Sequence, residues 1–129
     1  MILYHFTSRY HIEGCLKQGL RIGAIPISID PPKLCMGYQW LTKSGAFNQE
    51  WCRYSSLPYK RNDYRIKIKI KKPCNKLVRW LPFCEKYEFN QVLNSHGDPH
   101  NWYLWKGFLS PKMFKKVTEN NENFIDSIR

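Results

Sequence analysis

The stretch Tyr64-Arg65-Ile66-Lys67-Ile68-Lys69-Ile70-Lys71 decides the fold class, because its ring-bearing or aliphatic residues alternate strictly with cationic ones. A period of two is the pattern of a β-strand that buries one face and leaves the other in water. We therefore predict that Tyr64 and the three isoleucines are buried and that the four cations face solvent. Such a half-wet strand is typical of an antiparallel sheet.

Segments on both sides of this strand predict further strands and one early helix. Runs of aliphatic and aromatic residues predict strands at 2–6, 37–42, 102–105 and 113–117. Residues 9–18 are predicted to form a short amphipathic helix, with Thr7 and Ser8 as capping hydroxyls and Gly19 at its end. Three prolines indicate a long loop over 21–37, a short helix or ordered loop is predicted within 44–59, and a further helix is predicted after Pro82. The pattern as a whole predicts a single α+β domain over 1–129 with a mainly antiparallel sheet.

The composition predicts a folded chain with an anionic partner. Of its 129 residues 43% are hydrophobic and 16% aromatic, which is too rich in large rings for a disordered segment. Twenty-one Lys and Arg stand against ten Asp and Glu, a net charge of +11. This excess suits nucleic acid, an acidic protein, an anionic membrane surface or a phosphate-bearing ligand, and an inert basic surface is the simpler alternative. No apolar run reaches 18 residues and the first residues do not read as a signal peptide, so we expect no membrane span and a cytoplasmic location.

The five cysteines favour reduced, mostly buried thiols, since their number is odd and no C-x-x-C spacing occurs. A metal site built from Cys74 and Cys84 with His96 or His100 is the alternative, and we predict no metal.

The cationic side of the alternating strand is a candidate nucleic-acid-binding surface. Arg65, Lys67, Lys69 and Lys71 recur every second residue, which places them about 6.6–6.8 Å apart, near the phosphate spacing of an extended nucleic-acid strand. The same lysines can instead protect an edge strand against aggregation.

Three motifs together resemble ADP-ribosyltransferase-like domains. The segment Leu3-Tyr4-His5-Phe6-Thr7-Ser8, followed by a helix and Gly19-Leu20, resembles their first motif, most of all in small prokaryotic and phage-associated members such as DNA-targeting toxins. Trp40-Leu41-Thr42 is similar to their second hydroxyl-bearing strand, and residues 102–111 resemble their late core strand. The resemblance implies a split, twisted sheet with NAD⁺ or an ADP-ribose-like nucleotide in its cleft, transferase activity, and a role as a toxin or phage counter-defence factor.

The resemblance also implies roles for individual residues. His5 is expected to hydrogen-bond a ribose hydroxyl and to take part in catalysis, since one imidazole nitrogen donates while the other accepts. Thr7 would supply a second polar contact and Thr42 would hold the cleft wall. Trp51 or Tyr54 is expected to stack on the cationic nicotinamide ring.

The start of the late strand departs from the family pattern, because Asn101 stands where the family has a catalytic Glu. Either Asn101 occupies that place and ribosyl transfer is weak or absent, or an acid such as Glu88 or Asp98 reaches the cleft. The first case leaves a non-enzymatic nucleotide- or nucleic-acid-binding module as the alternative function. His5 can also be a core histidine bonded to a backbone carbonyl, and Thr7 can be no more than a capping residue.

Overall fold

The computed structural model describes residues 1–29, 32–53, 58–71, 74–86 and 91–121. Its regular elements are two short helices and eight strands: β1 (Ile2–Thr7), α1 (Ile12–Gln18), β2 (Ala24–Ile29), β3 (Pro32–Met36), β4 (Tyr38–Thr42), β5 (Tyr64–Lys69), β6 (Leu77–Arg79), α2 (Trp80–Lys86), β7 (Trp102–Lys106) and β8 (Phe114–Glu119). Single turns of 3-10 helix occur as well, including Glu50–Arg53, Pro99–Asn101 and Pro111–Met113.

Six of the strands form one sheet in the order β6-β7-β4-β1-β5-β8, and β2 pairs with β3 in a separate hairpin. Every pair of neighbours in the six-stranded sheet is antiparallel. The predicted α+β class with a mainly antiparallel sheet is therefore confirmed.

The alternating stretch contains β5, and its three isoleucines follow the prediction. Tyr64 was wrongly predicted as buried, and Arg65 and Lys67 as fully in solvent, since all three are half-buried. Ile66 and Ile68 are completely buried and Ile70 almost so, while Lys69 and Lys71 are exposed. β5 lies between β1 and β8, so the alternative that its lysines protect a sheet edge is wrong for this strand.

The sheet carries a hydrophobic cluster on each of its faces. One cluster joins Leu3, Leu41, Ile66 and Tyr103 to Ile12 of α1. The other joins Trp102 and Leu104 of β7 to Trp80 of α2 and Ile25 of the hairpin. Alternation along the strands sends successive side chains to opposite faces, and each helix covers one of the two apolar surfaces.

The predicted loop over 21–37 is wrong, because most of this segment is the β2–β3 hairpin. Pro26 lies where the register shifts, and Pro32 is the first residue of β3. Bulges and strand starts are the places in a sheet that tolerate proline, because no ladder donor is needed there. The prolines therefore shape the hairpin without preventing it.

The first helix begins later than predicted and is capped differently. α1 begins at Ile12, and the Ser8 carbonyl oxygen accepts from the backbone nitrogens of His11 and Ile12, both at 3.1 Å. The Ser8 hydroxyl lies 2.7 Å from Nδ1 of His11, and no side-chain cap is present. Capping by the Thr7 and Ser8 hydroxyls was thus a wrong prediction, whereas Gly19, with φ of 81°, does end the helix.

The helix predicted after Pro82 instead begins before it, at Trp80. Proline is compatible with a first helical turn, where its missing N–H is not needed. No disulfide joins the five cysteines, all of which lie in the described ranges, and Cys84 is buried while the other four are half-buried. The prediction of mostly buried thiols was therefore wrong for four of them. In the part of the chain that the structure describes, no helix is long and apolar enough to cross a membrane.

Candidate functional site

The sheet is nearly divided between β1 and β4, and His5 lies at the division. These two strands share one register pair, Tyr4 with Thr42, whereas β1 and β5 share six. One residue beyond Tyr4, Nδ1 of His5 lies 2.8 Å from the carbonyl oxygen of Trp40. A side-chain hydrogen bond thus spans the two strands where their backbone ladder stops.

This bond sets the protonation of His5. A carbonyl oxygen only accepts, so Nδ1 carries the proton and donates, and Nε2 of the neutral ring keeps its lone pair. Burial lowers the pKa of His5 below its ordinary 6.5, an effect that outweighs the opposing Trp40 bond, and the charge of Arg61 lowers it further. His5 is therefore a neutral, half-buried imidazole with an acceptor at Nε2.

Arg61 is a candidate anion-binding group whose charge reaches His5. Its guanidinium lies over the ring of Trp51, 5.0 Å from the centroid, and its Nε is buried with no hydrogen-bond partner within the described ranges. Burial lowers the pKa of Arg61, since water is replaced there by less polar surroundings. A buried cationic donor without a partner favours an anionic acceptor. Nothing in the sequence separated this arginine from the other basic residues.

A polar hollow of about 350 Å³ opens beside Trp51. Its lining consists of Ser44, Gln49, Glu50, Trp51, Gly97, Asp98 and Asn101. Within it, Trp51 Nε1 donates to Gln49 Oε1 at 2.9 Å, and Asn101 Nδ2 donates to Asp98 Oδ2 at 3.0 Å. The structure thus brings together two predicted site residues, Trp51 and Asn101, and the acid named as an alternative, Asp98.

The hollow also contains a carboxylate that the sequence analysis missed. Glu50 directly precedes Trp51 in a 3-10 turn and is exposed. Its position next to Trp51 in the sequence was the one signal that could have identified Glu50 as a site residue. Two acids, Glu50 and Asp98, therefore line the hollow together with Asn101, where the resemblance implies one.

The two predicted threonines have structural partners instead of lining this hollow. Both are buried. Oγ1 of Thr42 accepts from the backbone nitrogen of Ser44 at 3.2 Å, and Oγ1 of Thr7 lies 3.9 Å from Sγ of Cys15. Their nucleotide contacts stay predictions, and Tyr54 and Glu88 lie outside the described residues.

The predicted nucleic-acid-binding residues of β5 fall into two groups. Arg65 packs inward: its Nη1 donates to the Gly45 carbonyl at 2.6 Å and its guanidinium lies over the Tyr4 and Phe47 rings. Lys69 and Lys71 line a second hollow, and Lys67 is half-buried opposite Lys116 of β8. The four cations are therefore not one uniform row, although their role with nucleic acid stays a prediction.

Across the described ranges, no group of three or more His, Cys, Asp or Glu side chains could hold a metal ion. Burial raises the pKa of the Cys15 and Cys52 thiols, which keeps them protonated and poorly nucleophilic.

Comparison of the chain with protein-family models, curated proteins and solved structures gives no match.

Proposed function

We propose that this protein is ADP-ribosyltransferase-like and binds NAD⁺ or a related ADP-ribose-containing nucleotide at the division between β1 and β4. The observation that carries the proposal is the neutral imidazole of His5, held by the Trp40 carbonyl with Nε2 as an acceptor. Ribose hydroxyls are donors that such a nitrogen can accept. The near-division of the sheet also agrees with the split sheet that the resemblance implies.

Two neighbouring groups match other parts of a dinucleotide. Arg61 supplies a cationic donor for a phosphate oxygen, and its unpartnered Nε supports that use. Trp51 offers an aromatic ring that favours a cationic nicotinamide. Arg61 contacts Trp51 and its charge lowers the pKa of His5, which links the two groups electrostatically, whereas His5 itself does not line the hollow beside Trp51.

Asp98 is the acid we propose for ADP-ribosyl transfer. The transfer breaks the bond between ribose and nicotinamide, releases nicotinamide, and forms a bond to an acceptor nucleophile that loses its proton. A carboxylate stabilises the positive charge that develops at the ribosyl carbon, as in glycoside cleavage. With a net charge of +11, the proposed acceptor is nucleic acid or another acidic macromolecule of a host, as for a toxin or phage counter-defence factor.

A second candidate, a non-enzymatic nucleotide-binding module, is favoured by one contact. The Asn101 amide donates to Asp98 Oδ2, so the family's catalytic place holds an amide and the nearest carboxylate is engaged by it. In this case the nucleotide binds at His5 without turnover.

The experiment measures binding and nicotinamide release separately. Thermal unfolding with NAD⁺ and with ADP-ribose tests binding, since a ligand at 100 times its Kd stabilises the folded state by about 2.7 kcal/mol. His5→Gln is expected to remove this shift, and His100→Gln, at an exposed residue, is the matched control. Nicotinamide release from labelled NAD⁺ that is lost in Asp98→Asn supports the enzyme, whereas binding without release supports the module. No shift with either nucleotide would refute both.

A further inference from the structure

A second hollow, which we name the lysine hollow, lies at the end of β5. It measures about 340 Å³ and is lined by Lys69, Ile70, Lys71, Cys74, Trp105, Lys112, Met113 and Lys115. Four of these eight residues are lysines, none is acidic, and the remainder are apolar or thiol side chains. It shares no lining residue with the hollow beside Trp51.

Three separate parts of the chain bring these lysines together. Lys69 is the last residue of β5, Lys71 lies two residues beyond it, and Lys112 comes from the turn before β8. Lys115 is the extra residue of a bulge, because Lys67 pairs with Lys116 while the next residue of β5 pairs with Phe114. A bulge redirects the side chain of its extra residue, and here that residue lines the hollow. All four lysines of the hollow are exposed.

This convergence is electrostatically unfavourable in the free protein. Like charges repel, and directly opposed like charges such as Lys67 and Lys116 destabilise a sheet. Neither the four lysines of the hollow nor Lys67 and Lys116 form an ion pair with an acid in the described part of the chain. A bound polyanion would relieve this repulsion. The positive potential of such a surface also attracts polyanions.

We propose that the lysine hollow binds single-stranded nucleic acid, with phosphates on the four lysines and an unstacked base against the apolar lining. The four lysines alone would suit any polyanion. The apolar lining between them favours a ligand that also has an apolar part. Bases of a duplex are stacked and paired, so a single strand presents such a base more readily. The volume lies at the lower end of the range for small-ligand sites, about 300–1,000 Å³. This inference does not depend on nucleotide binding at His5.

The test is fluorescence anisotropy with a labelled single-stranded oligodeoxynucleotide, compared with the same sequence as a duplex, over a series of salt concentrations. Four phosphate contacts predict a slope of log affinity against log salt of about −2.8 for the single strand. The double variant Lys112→Gln/Lys115→Gln is expected to lower the magnitude of that slope by about 1.4. With equal affinities of the two proteins at the extrapolated 1 M salt, the variant then binds about 25-fold more weakly than the unaltered protein at 0.1 M.

The matched control is Lys17→Gln/Lys33→Gln, which removes the same charge from two exposed lysines outside the hollow. It is expected to leave the slope near that of the unaltered protein. Equal losses in the two double variants would overturn the proposal, as would tighter binding of the duplex. Binding to phosphatidylserine vesicles that depends on Lys112 and Lys115, with no binding of oligonucleotide, would also overturn it.

Discussion

His5 is expected to make the free energy of unfolding fall as the pH is lowered. Its pKa in the folded protein lies below the ordinary 6.5, so the unfolded chain binds more protons between these two values. Stability therefore rises with pH in that window and is lost as the pH falls through 6.5. One group changes the free energy by at most about 1.36 kcal/mol per pH unit. Because the unfolded histidine takes up its proton mainly below 6.5, only one of the two units between pH 7.5 and 5.5 counts, which limits the loss to about 1.4 kcal/mol.

The variant His5→Gln isolates this effect, because its amide does not titrate, and it removes the imidazole that is bonded to the Trp40 carbonyl. At pH 7.5 the variant is expected to be less stable by about 0.5–1.5 kcal/mol, the net value of one hydrogen bond. At pH 5.5 the difference between the two proteins should shrink, because only the unaltered protein is weakened by acid. Urea unfolding followed by tryptophan fluorescence at pH 7.5, 6.5 and 5.5 measures both quantities.

His100→Gln, at an exposed position, controls for the loss of one histidine from the chain. A stability difference between the unaltered protein and His5→Gln that stays constant or widens in acid would refute the reasoning. That result would mean that the folded protein holds a proton on His5 at least as well as the unfolded chain does. The ring would then be protonated below pH 6.5, where Nε2 could no longer accept the proposed ribose contact.

Three further substitutions test the packing that supports the site. Gly23→Ala would place a Cβ 1.8 Å from the Tyr38 carbonyl oxygen, so we expect a loss of about 1–3 kcal/mol or more in chemical unfolding. Gly14→Ala, in α1 with no atom within 4 Å of the new Cβ, should instead stabilise by about 0.5–1 kcal/mol, and a loss there would contradict the helix assignment. Trp80→Phe removes a completely buried indole that donates to Asn94 Oδ1 at 2.6 Å, so unfolding should become easier by about 1–3 kcal/mol. An unchanged unfolding midpoint would show that this bond contributes nothing.

The local residue pattern was sufficient to predict most of the strands. The alternation at Ile66, Ile68 and Ile70 depends only on the geometry of a strand, so it identified both β5 and its buried face. The β2–β3 hairpin was missed because the prolines were interpreted without knowing which positions lacked a ladder donor. A bulge and a strand start are defined by the partner strand, which no local pattern contains.

The candidate site was only partly predictable. Asp98 and Asn101 are close in sequence, and their proximity to each other was foreseeable. Arg61 gave no signal, because one arginine among 21 basic residues looks like any other until its Nε is seen to be buried without a partner. Its guanidinium lies over the ring of Trp51, a residue from an earlier segment of the chain, and only packing sets such a contact.

The sequence by itself determined the α+β class, the burial of Ile66, Ile68 and Ile70, the position of the candidate histidine and the large positive charge, since each depends on residue type and short-range period. Tertiary structure alone decided that β1 and β4 separate at His5, that Trp51 meets Asp98 and Asn101 in one hollow, and that Lys112 and Lys115 join Lys69 and Lys71 in another. The physical reason is that these arrangements arise from strand order, register and a bulge. Those features are set by the balance of contacts between distant segments, and no single segment encodes them.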